Sequence, residues 1–254
     1  ARLLVATPFL FRLEKPAPGM ASAPVSSWEL ASRLSYFLWS SQPDAPLTLR
    51  ASNSSLLTEE GLREETQRML DDHRARRLAT EFGCQWLGIY EFDQDNSKDE
   101  ERYPHFVGLR GEMYEEAIRF LEALFRDNGS ILESLTADYA FLNGSLAAHY
   151  GIPGVDGAQW RRVTGVQKYG RGGILTMAAI LASQSGAART SPVLRGNWVY
   201  ETLLGERLPK PPAEVPQLPT HVPVGLTTRQ LVERHTSEPA CARCHDRIDP
   251  FGLP

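Results

Sequence analysis

The sequence is short of cysteine, with three in 254 residues. A disulfide framework is therefore excluded as the source of stability, and a chain of this length buries enough surface in one or two cores not to need one. Positive charge is scarce too: 27 Lys and Arg stand against 31 Asp and Glu, for a net charge of −4. That removes the basic surplus that phosphate backbones attract, so nucleic acid is not expected as a partner. Long apolar runs are missing. The longest, Ile174 to Ala182 broken by Thr176, is about half of what spans a bilayer, and no transmembrane segment is expected in this chain. No phosphate loop and no G-x-S-x-G elbow occur, and His73, His105 and His149 have no patterned Ser or Asp partners. Kinase and hydrolase readings have nothing to rest on. The acidic run Asp93, Asp95, Asp99, Glu100, Glu101 lacks the ligand spacing and glycine of an EF-hand and reads as a solvated loop.

What is present is a globular composition, 42% apolar, 23% charged and 9% aromatic. The chain begins at Ala1 and reads at once as packed structure in Leu3, Leu4, Val5, Phe9, Leu10 and Phe11. It is expected to be a processed or excised piece from which any export signal has gone. Helical periodicity dominates thereafter. Ser26 and Glu29 form a capping box, and Leu30, Leu34, Phe37 and Leu38 follow as one stripe, predicting a helix over about 27–40. Leu62, Met69 and Leu70 after Thr58, then Leu78, Phe82, Trp86 and Leu87, predict two more, with Cys84 a small buried hydrophobe. Phe106, Leu109, Met113, Ala117, Phe120, Leu121 and Leu124 make the longest stripe, stopped at Asp127-Asn128-Gly129. A second capping box, Ser130 with Glu133, starts a short turn, and Asn143 to Tyr150 make a short helix. A hairpin within 161–173 is the only strand pairing expected. Ser191-Pro192 opens a helix over 193–204 that Gly205 stops, and Thr227 with Gln230 caps a last one toward His235.

Charge changes sign along the chain. Residues 159–195 hold Arg161, Arg162, Lys168, Arg171, Arg189 and Arg195 and no acid, so a domain boundary is expected at 155/156. The expected fold is mainly α: a helical scaffold domain over 1–155, then a smaller helical module over 156–254. A Pro-rich connector over 207–224 lies within the second, extended because each proline ring fixes φ and removes a donor.

The chemistry sits near the end, in Cys241-Ala242-Arg243-Cys244-His245. C-x-x-C-H is the pattern of covalent c-type haem attachment. Cysteines three apart on a helical turn aim their sulfurs to one side, where each can form a thioether with a haem vinyl group, and the adjacent imidazole can ligate the iron. Competing readings are weaker on physical grounds. Half a zinc site needs two more spaced ligands, for which only His235 and His221 lie near. A redox dithiol wants a βαβ context, and a disulfide between residues three apart closes too small a loop to stabilise much. One haem c is thus the expected cofactor, making 156–254 a haem-binding module. Its distal ligand is expected to be His235, ten residues from His245, a reach of up to about 33 Å; a solvated His near a helix C-terminus is the alternative. Met177 is the runner-up, though a Met on an apolar helix more often fills a core. Arg189 and Arg195 could pair with the propionates, against the reading in which they cap helices or face water.

Several stretches are familiar together: Glu29-Leu30-Ala31-Ser32-Arg33-Leu34-Ser35-Tyr36-Phe37-Leu38-Trp39, Gln85-Trp86-Leu87, Leu142-Asn143, and His149-Tyr150-Gly151-Ile152-Pro153-Gly154. They continue with Arg171-Gly172-Gly173-Ile174-Leu175-Thr176, Arg189-Thr190-Ser191-Pro192-Val193-Leu194-Arg195-Gly196, the haem motif after Pro239, and Ile248-Asp249-Pro250-Phe251-Gly252. In order and spacing the chain resembles the planctomycete-type cytochrome proteins, large exported bacterial proteins built from successive modules of unknown function. The resemblance implies a periplasmic or extracellular haem protein whose partners are a redox protein and neighbouring modules of a larger parent. It also implies a recurrent His before the haem motif, here His235. The leading expectation is single-electron transfer. The others are a haem enzyme, peroxidase-like or substrate-oxidising, with an open sixth iron position, and an interaction module in which the motif is only structural.

Overall fold

A computed structural model describes residues 24–209, 218, 219, 222–237 and 239–252, and the chain is mainly α-helical, as expected. The apolar residues Leu3 to Phe11, the central prolines of the connector (Pro211, Pro212, Pro216) and His221 lie outside the described residues. The chain makes two compact units, residues 1–78 and 79–254. The boundary expected at 155/156 falls inside the second. Its core draws Leu146, Tyr150 and Ile152 from one side of that point and Val166, Ile174 and Ile180 from the other. Charge changes there, but burial is continuous.

In the first unit, α1 (Ser27–Trp39), α2 (Ala45–Ser52) and α3 (Glu59–Asp71) pack together. Capping begins each helix: Ser26 and Glu29 satisfy each other's backbone N–H, Asp44 accepts from Leu47 N–H, and Thr58 from Gly61 N–H. Of the expected stripe Leu38 is buried, Leu30 and Leu34 are half-buried and Phe37 is exposed; the buried face of α1 is Ala31, Ser35, Leu38 and Trp39. Trp39 sets this rotation, because its buried indole N–H donates to the Met69 carbonyl at 2.9 Å. Above the ring lies the Arg74 guanidinium, 3.5 Å from the centroid, a cation–π contact. Buried Glu65 pairs with Arg50 and Arg68.

The second unit begins within a π-helical stretch, Leu78–Cys84, that places Cys84 in the core as expected but leaves Phe82 and Trp86 substantially exposed. Its central element is α4 (Phe106–Arg126), whose Met113, Ala117, Phe120, Leu121 and Leu124 are buried, and whose end is marked by Asn128 at positive φ. After α5 (Glu133–Thr136), strand β1 (Tyr139–Leu142) pairs antiparallel with β2 (Arg161–Thr164), Ala140 opposite Val163. The hairpin expected within 161–173 is thus not the pairing found: β2 reaches back to β1, and Gly165 and a 3₁₀ turn follow it. Ser130 behaves differently from the expected capping box as well, its hydroxyl accepting from Leu132 N–H while Glu133 N–H goes to its carbonyl. Between the strands comes α6 (Gly144–Tyr150), capped by Asn143, and later α7 (Ala178–Ser183) and α8 (Pro192–Trp198), capped by Ser191 with proline in its first turn. A π-helical turn, Val199–Leu203, extends α8 toward Gly205. Trp198 anchors α8 by donating to the Leu87 carbonyl at 2.9 Å.

Candidate functional site

After the connector the capping box of Thr227 and Gln230 starts α9 (Thr228–Thr236), and α10 (Pro239–Gly252) carries the cysteine motif. Cys241, Cys244, His245, Ile248, Asp249 and Gly252 recur at three- and four-residue steps and so share one helical face. It is turned toward protein. Cys241, His245, Ile248 and Gly252 are buried and Cys244 and Asp249 half-buried, while Arg243, Asp246, Arg247 and Pro250 on the other faces are exposed.

Two glycines let this face come close to α8. A Cβ on Gly196 would meet the Ile248 carbonyl oxygen at 2.1 Å, and one on Gly252 would meet that of Pro192 at 1.8 Å. The two backbones therefore touch, which any side chain at either position would prevent. Arg195 closes the contact from the side, donating Nε and Nη2 to the Gly252 carbonyl at 3.2 and 2.8 Å and Nη1 to the Thr190 hydroxyl at 2.5 Å. A cation on the last carbonyls of α10 suits the helix dipole.

His245 Nδ1 lies 3.0 and 3.1 Å from the two carboxylate oxygens of Asp249, one turn on. Donation from Nδ1–H to that carboxylate sets the tautomer, leaving the Nε2 lone pair as the ligating position. No hydrogen bond engages Nε2 among the described residues. The ring of His235, from α9, sits against that of His245 with centroids 5.1 Å apart and planes at 69°. Burial, then the neighbouring His245, pushes the His235 pKa down, which favours the neutral imidazole that binds metals.

The remaining expected residues divide. No disulfide joins the three cysteines, and no three His, Cys, Asp or Glu among the described residues are grouped to hold a metal ion; His221, named for the zinc reading, lies outside them. Met177 is buried in the main core of the second unit. Arg195 is engaged as described, and Arg189 donates to the carbonyls of Pro219 and Thr190, both at 3.2 Å. Sequence reasoning missed the part played by Asp249. Its signal was the four-residue spacing from His245, which on a helix brings the side chains together.

Fold and site together define a mainly α protein that presents paired thiols and a carboxylate-oriented imidazole on one inward helix face. The chain belongs to the family described as PSD4, protein of unknown function (DUF1592), whose model matches residues 25–152, half of the chain. Residues 171–254 match a second, described as PSCyt3, protein of unknown function (DUF1588). The familiar stretches up to Gln85-Trp86-Leu87 and Leu142-Asn143 fall in the first span, and those from Arg171 onward in the second. No curated protein and no solved structure matches the chain.

Proposed function

We propose that the chain is a c-type haem protein that passes single electrons outside the cytoplasm, with one haem c joined to Cys241 and Cys244 and ligated by His245. The observation that carries this reading is the arrangement on α10: two free thiols and an imidazole on one face, with Asp249 holding Nδ1 at 3.0 and 3.1 Å so that Nε2 is the ligating nitrogen. Donor chemistry fits the group. Cys241 and Cys244 would hold the group through thioethers, the oriented imidazole of His245 would ligate its iron, and His235, 5.1 Å from it ring to ring, would be a second imidazole close enough to serve as a ligand.

Haem iron supplies a one-electron couple when bound. The chain's own residues do the rest. Cys241 and Cys244 would hold the group against loss, Asp249 restricts the rotation of the His245 ring, and the glycine crossing of α8 and α10 keeps the face shielded from water. Arg189, whose bonds go only to backbone carbonyls, is the arginine left for a propionate; Arg195 serves the end of α10. A redox protein and neighbouring modules of a larger parent are the proposed partners.

The test is to produce the full chain in a host that attaches haem and to measure its intact mass and its oxidised and reduced absorption spectra. The reading requires the added mass of one haem and a low-spin spectrum unaffected by cyanide, with both lost in Cys241→Ser/Cys244→Ser. A high-spin spectrum that cyanide shifts would replace electron transfer by the enzyme reading. A colourless protein of unmodified mass would refute haem altogether and leave an interaction module.

A further inference from the structure

A cavity of about 370 Å³ opens in the second unit where the segment before α4, the first turns of α4, the end of α6 and α7 come together. Its walls are apolar, formed by Phe106, Leu109, Met113, Ala178 and Leu181. Besides Tyr103, Ser185 and Thr190, its polar lining is basic. Lys98, Arg102, His105, His149 and Arg171 all reach it, and no carboxylate among the described residues does. None of the five makes an ion pair among the described residues. Glu116, on which the Arg171 charge acts, is fully buried, and burial pushes its pKa to about 8, so at neutral pH it is mostly the neutral acid and compensates the guanidinium little.

Arg171 is fixed in place. Its guanidinium stacks on the Tyr150 ring at 4.1 Å and donates Nη1 to the Thr176 carbonyl at 2.8 Å. Of its five N–H donors these contacts satisfy one, so a planar fork remains at the cavity in a preset orientation, the geometry that recognises a carboxylate. Lys98 is turned to the Ser185 carbonyl at 2.9 Å. The His149 pKa is lowered by burial first, then by Arg171 and His105, so Arg171 holds the permanent charge beside it.

We propose that this cavity binds a small organic acid, its apolar body against Phe106, Leu109, Met113 and Leu181 and its single carboxylate on Arg171. Apolar walls with one oriented charge are how pockets of this size select an amphipathic ligand. At about 30 Å³ per water-sized unit, the space takes about a dozen non-hydrogen atoms. A polyphosphate or sugar would leave these walls without contacts. The inference does not depend on haem: neither the cysteines nor His245 line the cavity.

Octanoate, octanamide and octylammonium make a matched series for calorimetric titration of the full chain. The expected result is saturable binding of octanoate at least about tenfold tighter than octanamide, and none of octylammonium. Arg171→Gln brings octanoate down to the affinity of the amide while leaving the amide unmoved, and Leu181→Trp, which fills the apolar end, abolishes both. Equal binding of acid and amide by the unaltered protein overturns the proposal without any variant being needed. So does absence of saturable octanoate binding at millimolar concentration, or an acid preference that survives in folded Arg171→Gln.

Discussion

Glu116 should make the second unit lose stability as the pH rises toward 8, and Glu116→Gln should remove that loss. The carboxyl is 2% exposed on α4 and receives the Tyr150 hydroxyl at 2.5 Å, while that hydroxyl accepts from Ala178 N–H at 2.9 Å. Desolvation pushes its pKa from 4.5 to about 8, and the Tyr150 bond and the Arg171 charge oppose this only in part. Between those values the folded protein keeps a proton that the unfolded chain releases, so unfolding is favoured progressively with pH. The contribution is fully stabilising below 4.5 and is lost by about 8. Each pH unit in the window is worth about 1.4 kcal/mol, and from about pH 5 to pH 8 the loss comes to about 4 kcal/mol. Glutamine cannot ionise and can still accept from Tyr150, so its stability relative to the unaltered protein should grow by that amount over the same range. Urea unfolding across these pH values, with hydrogen exchange of the α4 amides to localise the effect, measures the difference directly. Histidines titrate in both proteins and cancel. Parallel pH profiles would show that the carboxyl is already ionised in the fold, and the argument from burial would fail. A variant equally destabilised at every pH would do the same.

The crossing of α8 and α10 makes a second prediction. Gly196→Ala would drive a methyl group to within 2.1 Å of the Ile248 carbonyl oxygen, and the helices must part, at a cost of about 1–3 kcal/mol. Limited proteolysis should then cut the α9–α10 segment sooner while α4 keeps its protection, and unchanged cutting would show that the crossing has slack. Asp249→Asn bears on the haem reading. Loss of the carboxylate behind His245 should favour the ferrous state and raise the reduction potential, by about 59 mV if the differential interaction is about 1.4 kcal/mol. A potential that does not rise would exclude the carboxylate as a partner of the ligand.

Local signals in the chain were sufficient for the helices that have strong ends. Ser26 with Glu29, Ser191 with Pro192, and Thr227 with Gln230 cap where expected, since capping involves residues only three apart and needs no distant partner; Thr58 and Asn143 cap the helices expected to start at them. The C-x-x-C-H spacing likewise puts both thiols and the imidazole on one helical face without knowledge of the fold. Partner choice over distance was another matter. Which face of α1 is buried depends on an indole reaching the Met69 carbonyl, and β2 finds β1 across the whole of α6, neither of which leaves a periodic trace.

By itself, then, the amino-acid order determined the mainly α class, the helix starts and the stripe that carries Cys241, Cys244 and His245, because all of these follow from steps of three or four residues. Only tertiary structure decided that the compact units part at 78/79, that Arg195 binds the last carbonyl of α10, that His235 meets His245, and that Arg171 lines an apolar cavity with no carboxylate among its described lining residues. The physical reason is the same in each case. Burial and charge compensation are properties of neighbours in space, and those neighbours come from segments tens of residues apart.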